Sequence, residues 1–284
     1  MNTIVIIGAG EVGATLARLI AEAELARRVV LVDENEGRAR GKALDIAQAG
    51  PVDRFDVRVE GVADASSVTG ADSVVIADPE ALADTVLLPT RAAQLVDALG
   101  PVLAKSFLLV AGPEPSPVIE AAIARGVARE RVLGSAPVAW AAALRRHVSG
   151  ELRVEPREVS AFVMGLPPPH LLVPQWSVTL AGVPVDRLSP TVLRRALETL
   201  QRRRMGPVAL ASAAVRVLKA VSGSRSSLLP VVSGLAGEYC HRRIALAVPA
   251  RLRAGRLEEI VELPLDPIDR VGFDNAAQRR YQGA

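Results

Sequence analysis

Residues 3–33 read TIVIIGAGEVGATLARLIAEAELARRVVLVD, and their order decides the fold of the first part of the chain. Thr3 to Ile7 is a short apolar run ending in glycine, Leu16, Leu19 and Ile20 recur at helical spacing, and Val29 to Val32 is a second apolar run. That is strand, helix, strand. At the first junction Gly8 permits a tight turn, Gly10 lets the backbone approach a pyrophosphate against the helix N-terminus, and Gly13 lets helix and strand pack closely. Asp33 closes the second strand, where a carboxylate accepts hydrogen bonds from adenosine ribose hydroxyls. Gly8, Gly10, Glu11, Val12, Gly13 and Asp33 are therefore the candidate cofactor-binding residues. The acid, with no Arg adjacent to hold a 2′-phosphate, points to NAD rather than NADP. The opposing reading is a relic that keeps the turn and binds nothing.

Outward from this unit, Asp56 to Val59, Ser73 to Ile76, Ser106 to Val110 and Arg131 to Leu133 read as strands, separated by Ala-rich helical segments around 37–48, 81–99 and 115–126. Strands alternating with helices predict a parallel, doubly wound sheet. From Val159 the order changes. Strand signals at 159–163, 177–180, 229–235, 244–248 and 258–263 mix with helical stretches near 190–204 and 207–221, which predicts an α+β unit. Ala136 to Gly150 reads as a helix at the boundary, giving domains 1–140 and 141–284. Pro167-Pro168-Pro169 must be a turn, and the polar tail from Ala276 reads as the fraying end of a last helix.

The 284 residues are 50% hydrophobic and 23% charged, which excludes a disordered or fibrous chain. A single cysteine, Cys240, excludes a disulfide framework, and charges or prolines interrupt every stretch that could span a membrane. No secretory leader pattern opens the sequence, so the cytoplasm is expected. Charge is uneven: residues 1–80 hold 14 acids against 8 bases, and residues 193–256 hold 13 bases against 2 acids. All but three of the 34 bases are Arg, a skew that coding bias produces, and aromatics at 3% give no interleaving for nucleic-acid binding.

Gly8-Ala-Gly-Glu-Val-Gly, Leu31-Val-Asp-Glu-Asn-Glu-Gly and Gly41-Lys-Ala-Leu-Asp resemble the first βαβ unit of the lactate and malate dehydrogenase family, most like its bacterial malate dehydrogenase branch. Glu158-Val-Ser-Ala-Phe-Val-Met-Gly, Val178-Thr-Leu-Ala-Gly-Val-Pro-Val, Leu235-Ala-Gly-Glu-Tyr and Ala247-Val-Pro-Ala resemble its substrate-domain stretches. The resemblance implies an N-terminal Rossmann sheet, a C-terminal α+β domain, NAD as cofactor, and a homodimer or homotetramer. For the dimer it points to the Ala-rich helices 36–48 and 207–221.

That family oxidises 2-hydroxy acids with a base His, an Asp that orients it and arginines that clamp the carboxylate. Gly134 to Arg145 aligns without a gap to the segment carrying the Asp and one Arg, which fall on Trp140 and Ala143. The base falls on Pro167 or Pro168, with His170 two or three residues late as a possible rescue. The loop after the fourth strand holds Asp78, Glu80 and Asp84 where two arginines belong, and Gly112 and Pro89 stand where two asparagines belong. Trp140 and Ala143 with three prolines nearby imply a small apolar pocket. The resulting expectation is a pseudoenzyme that binds NAD in a structural or regulatory role. The alternative is an active NAD-dependent oxidoreductase with an altered substrate, favoured by the acidic loop and His170.

Other groups have plainer readings. Lys105 precedes a strand and reads as solvated, and Tyr239 and Cys240 read as packed in a strand. His147 and His241 each sit beside two arginines with no acid accompanying them, which reads as surface, and Arg202 to Arg204 reads as a solvated helix end. No stretch has metal-ligand spacing.

Overall fold

The computed structural model describes residues 1–68, 70–77 and 89–283. The first half alternates strand and helix: β1 (Thr3–Ile7), α1 (Glu11–Glu22), β2 (Arg28–Val32), α2 (Glu36–Asp53), β3 (Arg58–Val62), β4 (Ser73–Ile76), α3 (Pro89–Leu103), β5 (Phe107–Val110), α4 (Ser116–Ala124), β6 (Val132–Gly134) and α5 (Ala136–Leu152). The strands pair in parallel in the order β3-β2-β1-β4-β5-β6. Every residue of β1, β4 and β5 is buried, because helices cover both faces of the sheet. Leu16 and Ile20 on α1 are fully buried, each contributing about 1.5–3 kcal/mol.

The second half contributes β7 (Val159–Ser160), β8 (Met164–Gly165), β9 (Leu171–Leu172), β10 (Thr179–Leu180), β11 (Val183–Pro184), α6 (Val185–Leu188), α7 (Pro190–Gln201), α8 (Pro207–Ser222), β12 (Ser227–Ala236), β13 (Arg242–Arg253), β14 (Arg256–Ile260) and α9 (Pro267–Gln282). Here pairing is antiparallel, and β7, β10 and β11 form a small separate sheet. The main sheet does not stop at β6. It continues through β12, β13, β8 and β9, and the seam is Val232 opposite Gly134. A Cβ on Gly134 would lie 2.5 Å from Pro115 and 3.1 Å from Val232, so only glycine lets α4, β6 and β12 meet.

Several boundaries differ from the sequence reading. The expected strand 159–163 yields only the two-residue β7, and β9 and β11 had no signal, because such short strands exist only through their partners. The strand expected at 56–59 begins at Arg58, where pairing with β2 starts. The helix expected from residue 81 is described only from Pro89. The tail from Ala276 is the second half of α9, which continues to Gln282. Ala276 and Ala277 are buried, Asp266 caps α9 through the Ile268 and Asp269 N–H groups, and Arg280 pairs with Glu120 on α4. Among the described residues, no helix is long and apolar enough to cross a membrane.

Arg280 Nε donates to Glu120 Oε1 at 2.9 Å, and the same oxygen accepts the Ala245 N–H at 2.8 Å, so one carboxylate joins α4, α9 and β13. The pair is mostly buried, with 11% and 17% of the two side chains exposed. Glu120→Ala should lower urea-unfolding stability by about 1–3 kcal/mol. Glu130→Ala, which removes the exposed partner of Arg129, should cost less than about 1 kcal/mol in the same measurement.

Candidate dinucleotide site and the replaced catalytic positions

The strand order reverses between β1 and β4, and ligands of open α/β sheets bind at such a crevice. Gly8 turns the chain out of β1 with φ +99°, a left-handed conformation that side chains resist, and its N–H donates to Val32 O at 2.8 Å. Gly10 then opens α1 with extended backbone and no side-chain cap. Gly10 brings no side chain to this end, and the positive pole of a twelve-residue helix suits a pyrophosphate. Val12 and Gly13 are buried against the sheet, and Glu11 is exposed on the first turn.

Asp33 sits at the end of β2, only 5% exposed. Its Oδ2 accepts the Ala9 N–H at 2.8 Å, and its Oδ1 accepts the Asn35 N–H at 3.0 Å and Arg38 Nη2 at 2.7 Å. Burial pushes this carboxyl upward, but the hydrogen bonds from Arg38, Ala9 and Asn35, with the guanidinium charge, outweigh it and hold Asp33 below the usual range. The glycine turn, the start of α1 and the fixed acid fit a dinucleotide. One sequence inference needs correction: an Arg does stand beside Asp33. Arg38 is five residues on, but the first turn of α2 folds its guanidinium back onto the acid.

Trp140 lies on α5 inside the core, 3% exposed, with its Nε1 lacking a hydrogen-bond partner. Ala143, one turn later, lines a cavity of about 800 Å³ whose walls also include Ala139, Phe162, Met205 and Ala209. Arg145, Arg146, Arg203, Arg204 and Arg216 also line it, with no carboxylate among the described residues on its walls. None of the five forms an ion pair among those residues. Burial, and then the charge of Arg216, lower the pKa of Arg145. Because these arginines come from α5, α8 and the loop between α7 and α8, their convergence has no local sequence pattern.

Pro167 accepts the His170 N–H at 3.1 Å, closing the turn between β8 and β9. His170 faces α9, where it lines a separate recess of about 580 Å³ with Pro169, Asn275, Gln278 and Arg279. Burial, and then Arg279, lower its pKa. The walls of the cavity beside Ala143 hold neither His170 nor Pro167 nor Pro168. Gly112 lies two residues past the end of β5, whereas Asp78, Glu80 and Asp84 lie outside the described residues.

Lys105 is exposed as expected, and Tyr239 is buried, but in a 3-10 turn rather than a strand. Cys240, read as packed, is exposed. His241 has an acid after all: its Nε2 lies 2.9 Å from Asp274 Oδ1, and Asp274 also pairs with Arg270. The separation of 33 positions from His241 to Asp274 hid this contact from a local reading. His147 is half-buried on α5.

Residues 2–79 match the description "lactate/malate dehydrogenase, NAD binding domain". The chain is 31% identical over 295 aligned residues to a malate dehydrogenase of Chloroherpeton thalassium, covering 96% of this chain and 94% of the relative. A malate dehydrogenase of Thioalkalivibrio sulfidiphilus is also 31% identical, with 97% and 96% covered. The solved malate dehydrogenase of Salinibacter ruber superposes with TM-score 0.88 at 26% identity, over 99% of this chain and 96% of that one.

The depressed pKa of Asp33 sets a sign for acid sensitivity. A folded carboxyl below its unfolded value stabilises the fold above the unfolded pKa, and that stability is lost as pH falls through the folded value. The melting-temperature advantage of the wild-type chain over Asp33→Asn should hold from pH 7 to about pH 5 and shrink toward about pH 3.

Proposed function

We propose, from the premise that this chain belongs to the lactate/malate dehydrogenase family, that it holds NAD(H) and no longer oxidises or reduces 2-hydroxy and 2-keto acids. The cofactor side of the premise is firm, since residues 2–79 are an NAD-binding domain of this family. When bound, NAD supplies a hydride acceptor and NADH a hydride donor. On this reading residues 1–140 are the cofactor domain and 141–284 the substrate-type domain. The first turn of α1 meets the pyrophosphate, and Asp33 accepts from the ribose.

The observation that carries the loss of turnover is Trp140, buried in α5 at the place the resemblance assigns to the orienting carboxylate. Ala143 stands at the carboxylate clamp and Pro167 or Pro168 at the base. An imidazole base needs an oriented ring and a bound substrate carboxylate, and members of such a unit fail together. His170 does not favour the active alternative, because it lines a different recess from Ala143. Titration with NADH should give saturable binding, and an absorbance assay with NADH and oxaloacetate or pyruvate should stay at background. Turnover above a contaminant level would overturn the inactive reading.

Assembly belongs to the same proposal. Leu44 and Val52 on α2 are 59% and 79% exposed and Val208 on α8 is 63% exposed, which supports a homo-oligomer packed through these helices. Sedimentation at micromolar concentration should give at least twice the monomer mass of 29.9 kDa. A concentration-independent monomer would end the assembly proposal.

A further inference from the structure

The ribose subsite holds an acid whose acceptor capacity is largely spent. An ionised carboxylate oxygen offers two lone pairs, and Asp33 Oδ1 already takes two donors, Asn35 N–H and Arg38 Nη2. Oδ2 takes the Ala9 N–H, which leaves one lone pair for a ribose hydroxyl. An acid at this position normally rejects a 2′-phosphate by its charge. Here that charge is compensated at 2.7 Å by a guanidinium.

Arg38 is suited to more than compensation. It occupies the first turn of α2, whose N-cap Asn35 accepts the Arg38 N–H at 3.0 Å, so its backbone is fixed. Its side chain is 35% exposed, within reach of a solvent-borne ligand, and that of Asp33 is 2% exposed. Of the two exposed acids that flank Asn35, Glu34 directly follows Asp33, and Glu36 is engaged by Arg40 at 2.7 Å, which reduces its repulsion of an incoming phosphate. The planar fork of Arg pairs well with phosphate oxygens, and the start of α2 adds the favourable end of an eighteen-residue helix.

We propose that Arg38 makes this subsite accept a 2′-phosphorylated dinucleotide as well as NAD, with the guanidinium shared between Asp33 and the phosphate. The proposal rests on the dinucleotide site described above and deepens it by naming the residue that sets ribose selectivity.

The test titrates NADH and NADPH by nicotinamide fluorescence into the full chain at low salt. NADPH should bind within about tenfold of NADH, and raising ionic strength about tenfold should weaken NADPH more than NADH. Arg38→Leu should weaken NADPH by about tenfold or more and NADH by less than about threefold, and Arg38→Lys should fall between wild type and Leu. NADH binding with no detectable NADPH binding would overturn this proposal and leave the NAD site standing. So would equal losses for both ligands in Arg38→Leu, which mark a purely structural Arg38. If that variant does not fold, equal salt dependence of the two ligands in the wild-type chain overturns the proposal. Binding of neither ligand would refute the dinucleotide site itself.

Discussion

The carboxylate of Asp33 is the tie on which the N-terminal architecture turns. Its three donors come from the turn after β1, from the N-cap of α2 and from the first turn of α2, so one side chain at the end of β2 fixes the relative placement of β1, β2 and α2. The interaction works because the group is nearly buried: in low dielectric each hydrogen bond to a charged acceptor is strong, and leaving any donor unmet is costly. The same residue shapes the mouth of the dinucleotide crevice. Stability and recognition here therefore compete for the same lone pairs, and a ligand must take what the fold leaves.

Much of this was legible in the sequence. The parallel half could be read because most of its strands are four or five residues long and largely apolar, alternate with helices, and are punctuated at Gly8 and Asp33 by residues with a mechanical job. The antiparallel half resisted for the opposite reason. Strands of two residues, such as those at Val159 and Leu171, carry no periodicity and are defined only by the strands they pair with. Side-chain direction was also hidden. Arg38 was visible at its position, but only the capped first turn of α2 aims it at Asp33, and His241 finds Asp274 only because α9 packs along β13.

A carboxylate inside a helix bundle is held against burial cost by its partners, whereas an indole fills such a helix position mainly through apolar contact. Trp140 belongs to the main core, although its Nε1 has no partner there. The arginines around the neighbouring cavity show the reverse economy. Arg145 and Arg216 face each other's charge without a compensating acid on the walls, a strain that water or counterions must relieve.

The seam at Gly134 and Val232 has a consequence for how the two halves depend on each other. Because one sheet runs through both, severing the chain between them would strip β6 and β12 of a neighbour and present an unpaired row of backbone donors and acceptors on each piece. Such edges template pairing with other copies. The boundary that looks convenient in the linear order, along α5, is thus a poor place to cut, and fragments made there should be prone to aggregate even where each retains its own buried core.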